Sequence, residues 1–368
     1  MGRNPRALAS ATSSHDNGFN LVRLLAALLV VVYHAWQLNG RTPGAQDPLT
    51  AWLAPVTDLG MVAVGVFFLV SGLFVSHSWL RDPHLLRFAV RRVTRIVPGL
   101  LACLLLTTSV AVTFFSPQGF AGLFSADAWH YIFSNATLHG LRYLDPPAVL
   151  AIPGVLDGRP LNGSLWTLYW EARMYVVLAL LGLAAVAPMR VWLLVTSLVL
   201  ILAAHAFPTL LSGYVWETTF WTLFLGGIVL QTLARHLRFG LGLVLATGLL
   251  LALNWTRNAA LTPSGFSLVG VLLFACALAL WLGSMRLPGW LGHIQKHDYS
   301  YGIYIYHWPV MLMLAQLMPN AGALRLLAAG LALTLACAVF SWHCVEHPAM
   351  KLARRMPKRQ PAPLRAAA

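Results

Sequence analysis

Apolar residues fill most of this chain in runs that short polar or basic stretches interrupt, and the pattern predicts a polytopic membrane protein. The runs are 16 to 22 residues long, close to the ~20 residues that an α-helix needs to cross the hydrocarbon core of a bilayer. We predict an all-α membrane domain with ten transmembrane helices, at residues 19–38, 59–79, 96–115, 165–186, 191–206, 215–233, 239–254, 266–284, 299–318 and 322–343.

The predicted domain boundaries follow the same pattern. Residues 1–18 form a cytoplasmic N-terminal segment, residues 19–348 the membrane domain, and residues 349–368 a basic disordered tail that contacts anionic membrane lipid. Arg3 and Arg6 precede the first apolar run, as basic residues do in a signal peptide, but no small-residue cleavage site follows the run. We therefore interpret it as a retained first helix.

Composition and charge support a membrane location. The chain is 58% hydrophobic and only 10% charged, which excludes an ordinary soluble domain. Its net charge of +14 comes from basic residues between the apolar runs and at the chain ends, so it indicates topology rather than nucleic-acid binding. With ten spans, the outside segments hold only Arg41, Arg142, Arg159 and Arg257. This bias predicts that both termini lie on the cytoplasmic side of the inner membrane.

The longest connection, roughly residues 116–164, faces outside in this topology. It contains His139, Asp145 and Asp157 together with several aromatic residues. Long ordered loops are often functional, so this one is a candidate wall of an acceptor site. An equally reasonable interpretation is a proline-rich loop that lies on the membrane surface.

Ionisable groups at membrane depth are costly, so the search for chemistry begins with them. Arg23 and His34 lie eleven residues apart on the first helix, which places their side chains within about 20° of each other and ~16 Å apart along the axis. Each residue alone has a structural explanation, Arg23 reaching the inner headgroups and His34 capped at the outer interface. The shared face favours a functional role. The four cysteines have no spacing typical of disulfides or metal ligands, so no metal is expected.

A second polar group lies at the start of the fourth span. Ser164, Glu171 and Tyr175 fall on one helical stripe. Glu171 needs a partner from another helix, and His34, at similar depth, is the expected one. The alternative is a protonated Glu171 that only joins two helices by a hydrogen bond.

A third group lies on the ninth span, where Ser300, Tyr304 and His307 share one face. An aromatic belt at the membrane interface explains the tyrosines. It does not explain His307, which is followed by the helix-distorting Pro309.

The fourth group is basic and precedes the third span. The run contains Arg87, Arg91, Arg92 and Arg95, which are typical topology determinants. Arg92 and Arg95 are also three residues apart on one face, a spacing suited to a phosphate-rich ligand. We expect this pair to be solvated until a phosphate engages it.

On the second span, Phe67 and Ser71 lie one turn apart, and Gly72 permits close backbone approach. This arrangement is as typical of helix packing as of a binding site.

Together these segments resemble the acyltransferase-3 family of membrane acyltransferases, which acylate bacterial surface polysaccharides, lipid-linked sugars and some antibiotics. The family's motifs match Arg23 and His34; Phe67, Phe68, Ser71 and Gly72; Arg92 and Arg95; Ser164, Leu165, Trp166, Leu168, Glu171 and Tyr175; Tyr304, His307 and Pro309; and Glu346 and Pro348. Many relatives carry an additional hydrolase-like domain after the membrane part. This sequence shows none, which favours the stand-alone form.

The resemblance implies an acyl-CoA donor, for which we expect acetyl-CoA, and a carbohydrate or glycolipid acceptor. The candidate catalytic residues are His34, Glu171 and His307. The candidate donor-binding residues are Arg23, Arg92, Arg95 and Ser71, and the candidate acceptor-binding residues are Ser164, Trp166, Tyr175 and Tyr304. His34 would act as a general base on the acceptor hydroxyl or take the acyl group itself, oriented by Glu171.

Two other functions also account for polar groups inside a membrane. A secondary transporter or exporter predicts an internal repeat with interrupted helices in corresponding halves, and the sequence shows neither. A catalytically silent sensor predicts that His34 faces lipid rather than the interior of the bundle.

Overall fold

A computed structural model describes residues 6–14, 16–54, 56–138, 151–207, 209, 214–258 and 265–355. Within these ranges the chain forms helices and no β-strand, which confirms the predicted all-α class. The α-helices are α1 (Leu8–Ser13), α2 (Phe19–Leu38), α3 (Pro48–Leu53), α4 (Leu59–Arg81), α5 (Leu85–Phe115), α6 (Ala126–Ala136), α7 (Trp166–Leu183), α8 (Met189–Ala206), α9 (Val215–Thr232), α10 (Leu241–Asn258), α11 (Gly265–Ser284), α12 (Gly292–Lys296), α13 (Ser300–Leu317), α14 (Ala323–Ser341) and α15 (His347–Arg354). His139, Asp145 and most of the predicted basic tail lie outside the described residues.

The chain is a multi-pass membrane protein. Each of the ten predicted segments overlaps one of the ten longest helices among the described residues, α2, α4, α5, α7 to α11, α13 and α14. Among the described residues, five helices are long and apolar enough to cross a membrane, namely α2, α4, α5, α8 and the stretch Ala323–Arg354. A sixth is α11 with the following Gly289–Lys296, if this pair, bent by 103°, forms one span. Helices α7 and α13 carry the polar and aromatic residues of the predicted site, which lowers their mean hydropathy.

Helix α5 is longer than the predicted span because the arginine run belongs to it. Its 31 residues span about 46 Å, more than the ~30 Å hydrocarbon core, so its basic end projects beyond the apolar layer. In the turn before α5, Asp82 binds Arg87 at 2.6 Å and Arg91 at 2.8 Å. The hydrogen bonds from Arg87 hold the pKa of Asp82 well below its usual range. These two arginines therefore fix the α4–α5 turn.

Helices α4 and α9 pack with their backbones close together at two glycines. A Cβ atom on Gly72 would meet the backbone carbonyl of Phe224, and one on Gly227 would meet the carbonyl of Leu69. Small residues allow this approach and let van der Waals contacts hold the two helices together within a bilayer. The predicted packing role of Gly72 is therefore confirmed.

The short helix α1 closes one end of the bundle. Its Leu8 N–H donates to Leu237 O at 2.9 Å, just after α9, and Gly18 N–H donates to Gly283 O at 2.9 Å, near the end of α11. This end, which also holds the starts of α2, α5 and α13, is called the inner end below. The opposite end, with the starts of α4 and α7, is the outer end.

Gly227 and the neighbouring Gly226 provide a matched test of the α4–α9 contact. Gly227→Ala places a methyl group against the backbone of α4, so we expect a clear loss of thermal stability in detergent, equivalent to about 1–3 kcal/mol. Gly226→Ala meets nothing within 4 Å and should leave the melting temperature unchanged or slightly raised. Equal melting temperatures for the two variants would contradict the close approach.

Candidate active site

The sequence-predicted site residues lie at three levels along the interior of the bundle. The inner level holds Arg23, Arg92 and Arg95, the middle level Ser71, Glu171 and Tyr175, and the outer level His34, Ser164, Trp166, Tyr304 and His307. They come from helices α2, α4, α5, α7 and α13 and from the segment just before α7. Several contacts within these levels differ from the expected ones, because His34 pairs with His307 and Glu171 pairs with Tyr175.

His34 pairs with His307 at the outer level. His34 Nδ1 lies 2.7 Å from His307 Nε2, and the rings are stacked with 5.0 Å between centroids. His307 is fully buried, whereas His34 lines a cavity that opens at the outer end. The pair joins α2 to α13, and His34 faces the bundle interior rather than lipid.

The hydrogen bonds of His307 determine the tautomers of both rings. His307 Nδ1 lies 2.7 Å from Tyr304 O and 3.2 Å from Ile303 O. Because a carbonyl only accepts, Nδ1 must carry the proton, and Nε2 of the neutral ring must accept. His34 Nδ1 then donates to it, which leaves the lone pair on His34 Nε2. This assignment follows from the hydrogen-bond network.

Pro309 organises the residues around the pair. Proline has no N–H, so the carbonyl of Ile305, four residues earlier, has no partner within the helix. Asn162 Nδ2 donates to this carbonyl at 2.8 Å, and Cys103 Sγ at 3.2 Å. Ser164 Oγ in turn donates to Asn162 Oδ1 at 2.8 Å. Asn162 was not among the predicted site residues, although the carbonyl that Pro309 leaves unpaired is a signal that a donor must exist.

Tyr304 connects α13 to the start of α7. Its hydroxyl donates to Ser164 O at 2.8 Å and lies 2.6 Å from Thr167 Oγ1. Thr167, which the sequence analysis also missed, is one turn before Glu171 and on the same face.

A cavity of about 380 Å³ adjoins His34. Ser164, Trp166 and Tyr304, three of the four residues predicted to bind the acceptor, line it. Tyr175, the fourth, does not. Gly163 and Ser164, the last residues of the long connection, therefore form part of the cavity wall.

The expected contact between His34 and Glu171 is wrong. Glu171 instead accepts a short hydrogen bond from Tyr175 and a 3.4 Å bond from Ser71 Oγ. Ser71 also lies 3.3 Å from the Tyr175 hydroxyl. The physical reason is depth, because Thr167, not Glu171, lies beside the cavity with His34, and Glu171 is one turn further inward.

Asp298 organises the inner level, and the sequence analysis did not anticipate it. Its Oδ2 accepts from Arg23 at 2.5 Å and from Arg95 at 2.7 Å, and its Oδ1 accepts from Ser300 Oγ at 2.5 Å. Burial alone would raise the pKa of Asp298, but the two arginines and Ser300 outweigh burial and lower it to about 2. The carboxylate is therefore ionised and joins α2 and α5 to the start of α13.

Arg92 and Arg95 occupy different environments, which contradicts the expectation of a solvated pair. The Arg95 side chain is only 13% exposed, between Asp298 and Glu346, which lies 3.9 Å away. Arg92 instead lies over the ring of Tyr175 at 5.6 Å. Among the described residues, no carboxylate forms an ion pair with Arg92. Of the three arginines at the inner level, Arg92 is thus the one without an ion pair to a described carboxylate. Throughout the described residues, no group of three or more histidine, cysteine or acidic residues is placed to hold a metal ion.

Comparison with known proteins identifies the family. A family model described as an acyltransferase domain matches residues 16–343. Nodulation protein 10 of Rhizobium leguminosarum bv. viciae is 30% identical over 370 residues, 93% of this chain and 95% of that protein. An O-acetyl transferase of Shigella phage Sf6 is 30% identical over 162 residues, 44% of each chain. No solved structure matches the chain.

The family match extends over nearly the whole chain and includes the helices that carry the three levels of predicted site residues. The resemblance inferred from the motifs is thereby confirmed. The protein belongs to the acyltransferase-3 family and is a membrane acyltransferase.

Proposed function

We propose that the protein transfers an acetyl group from acetyl-CoA at the inner end to a hydroxyl of a carbohydrate or glycolipid acceptor at the outer end. The observation that carries the proposal is the pair of polar contacts between α2 and α13, Arg23–Asp298 at one level and His34–His307 at the other. The arginine at the inner level is suited to anionic phosphates, and the histidine pair at the outer level is suited to proton transfer. The similarity to a protein named O-acetyl transferase supports acetyl as the transferred group.

The helix geometry accommodates such a donor. Arg23 and His34 are ~16 Å apart along α2, comparable to the length of a pantetheine arm. Arg92, with Arg23 and Arg95, would bind the phosphates by charge-assisted hydrogen bonds. Ser71, Glu171 and Tyr175 lie at the depth between these arginines and His34, where the arm would pass.

His34 Nε2 supplies the chemistry in either of two routes. As a general base, it takes the proton of the acceptor hydroxyl while the hydroxyl oxygen attacks the thioester carbonyl. The carbon–sulfur bond then breaks, and the leaving thiolate takes the proton from His34. As a nucleophile, Nε2 attacks the thioester carbonyl and expels the thiolate of coenzyme A. The acceptor hydroxyl oxygen then attacks the acetyl-imidazole, the bond to Nε2 breaks, and the hydroxyl proton goes to the thiolate. Both routes need the lone pair on Nε2 that the tautomer assignment provides.

The orientation belongs to the same proposal. The start of α2, which carries Arg23, and the arginine-rich start of α5 lie at the inner end. Basic residues concentrate on the cytoplasmic side of membrane proteins. We therefore propose ten spans, with the inner end in the cytoplasm and the protein in the cytoplasmic membrane.

Cysteine labelling tests this orientation. In a protein with Cys344→Ser, Gln46→Cys between α2 and α3 should react with a membrane-impermeant maleimide in intact cells, and Lys296→Cys should react only after permeabilisation. Both positions are exposed. The reverse pattern would overturn the orientation and the donor path that depends on it.

We expect substitutions of His34 to reduce acetyl transfer more than substitution of His307 does. His34→Ala and His34→Gln should lower transfer of label from acetyl-CoA by at least about 100-fold, because neither side chain can take a proton at Nε2. His307→Ala should cause a smaller loss, because the base survives and only its tautomer is no longer fixed. Donor binding should persist in all three variants. Near-normal transfer by His34→Gln would make His34 a structural group and His307 the next candidate for the base.

We expect substitution of Arg92 to affect donor binding alone, and substitution of Arg95 to affect both donor binding and stability. Arg92→Ala should raise the KM for acetyl-CoA about tenfold, with little change in thermal stability, because this arginine is paired with no described carboxylate. Arg95→Ala should also lower the melting temperature, because Asp298 and Glu346 lose a partner. Arg91→Ala, which alters the Asp82 contact, serves as the control and should leave the KM unchanged. An unchanged KM in a well-folded Arg92→Ala protein would contradict the donor site.

A further inference from the structure

The cavity beside His34 has aromatic walls. Trp166 and Trp216 meet edge to face with 4.8 Å between ring centroids, and Trp308 contacts the ring of His34 at 4.7 Å. Tyr33 adds a fourth ring. The volume of about 380 Å³ lies at the low end of the range for small-molecule pockets, about 300–1,000 Å³. The cavity therefore fits one ring-sized group, and the remainder of a larger acceptor would extend outward.

The charge of this cavity is opposite in sign to that of the chain. Among the described residues that line it, none is a lysine or arginine and Asp58 alone is acidic, in a protein of net charge +14. Asp58 Oδ1 accepts from the backbone N–H of Met61 at 2.8 Å and so caps α4. Within the described ranges, no basic side chain forms an ion pair with this carboxylate.

A second carboxylate strengthens the negative potential. Asp47, which caps α3, is almost completely buried, and its Oδ2 has no hydrogen-bond partner among the described residues. Burial raises the pKa of Asp58, the backbone N–H groups of Met61 and Gly60 oppose this effect, and the charge of Asp47 adds to it. A group that donates hydrogen bonds to Asp58 would be favoured here, whereas a second anion would be repelled.

Resting on the proposed acetyl transfer, we propose that the group entering this cavity is an uncharged sugar ring, and that Asp58 makes the enzyme discriminate against sugars bearing a carboxylate or phosphate. The apolar faces of the ring would pack on the tryptophans. A ring hydroxyl would donate to Asp58, while another hydroxyl meets His34 Nε2. Repulsion of the wrong substrate is a general source of specificity, alongside attraction of the right one.

The capping role of Asp58 can be separated from its charge. Asparagine caps helices about as well as aspartate does, so Asp58→Asn keeps the bond to Met61 and removes only the negative charge. Asp127→Asn is the matched control, because Asp127 is exposed in α6 and does not line the cavity.

The test uses two substrates that differ only at the exocyclic carbon C6, with labelled acetyl-CoA. Methyl β-D-glucopyranoside has a hydroxymethyl group there, and methyl β-D-glucuronide has a carboxylate. The unsubstituted enzyme should favour the neutral glycoside at least about tenfold. Asp58→Asn should reduce that preference about tenfold, mainly by improving use of the glucuronide, and Asp127→Asn should leave it unchanged. Equal use of both glycosides by the unsubstituted enzyme, or an unchanged preference in Asp58→Asn, would overturn the proposal.

Equilibrium binding of the same glycosides without acetyl-CoA separates this proposal from the proposed function. If no label is transferred but the neutral glycoside binds preferentially and Asp58→Asn removes the preference, the role of Asp58 stands and acetyl-CoA is the wrong donor. If acetyl-CoA is consumed but neither glycoside binds or is acetylated, the cavity does not accept sugar rings and this proposal fails.

Discussion

The pairing of α2 with α13 is the constraint on which the rest of this structure depends. These helices run in the same direction and carry a polar contact near each end of the bundle, Arg23–Asp298 and His34–His307. Eleven residues separate the two levels on α2 and nine on α13. Since an α-helix rises ~1.5 Å per residue, similar spacings on both helices allow both contacts to form at once. A slip of one turn in either helix would break both contacts.

The inner contact illustrates how a membrane protein keeps a charge buried. An unpaired carboxylate in a medium of low dielectric constant is strongly destabilising, and removing one partner of a buried ion pair typically costs ~3–5 kcal/mol. Asp298 avoids this cost through two arginines and Ser300. Because the arginines come from α2 and α5, the same carboxylate fixes the geometry of three helices. Arg92, one turn earlier on α5, lies outside this network and over the ring of Tyr175.

Helical periodicity made part of the site predictable from the sequence. It placed Arg23 with His34, Glu171 with Tyr175, and Tyr304 with His307 on common faces, because the angle between residues of one helix is fixed. The assignment of Ser164 to the stripe of Glu171 was wrong, because α7 begins only at Trp166. It could not choose partners between helices, since these depend on relative depth and packing. Glu171 was therefore assigned to His34, although it lies one turn too deep. Asp298 escaped notice because an acid in a short connection resembles any solvated loop residue until the arginines around it are known.

The proline in α13 shows that a good helix and a good site make opposite demands. A regular helix would return the Ile305 carbonyl to its own backbone ladder, and Asn162 would then have to compete for it. The carbonyl of Ile305, left free by Pro309, anchors the segment before α7 to the helix that carries His307. At this turn, α13 loses one backbone hydrogen bond of its own and gains a contact with Asn162. The most regular version of α13 would be the one least able to hold the cavity beside His34.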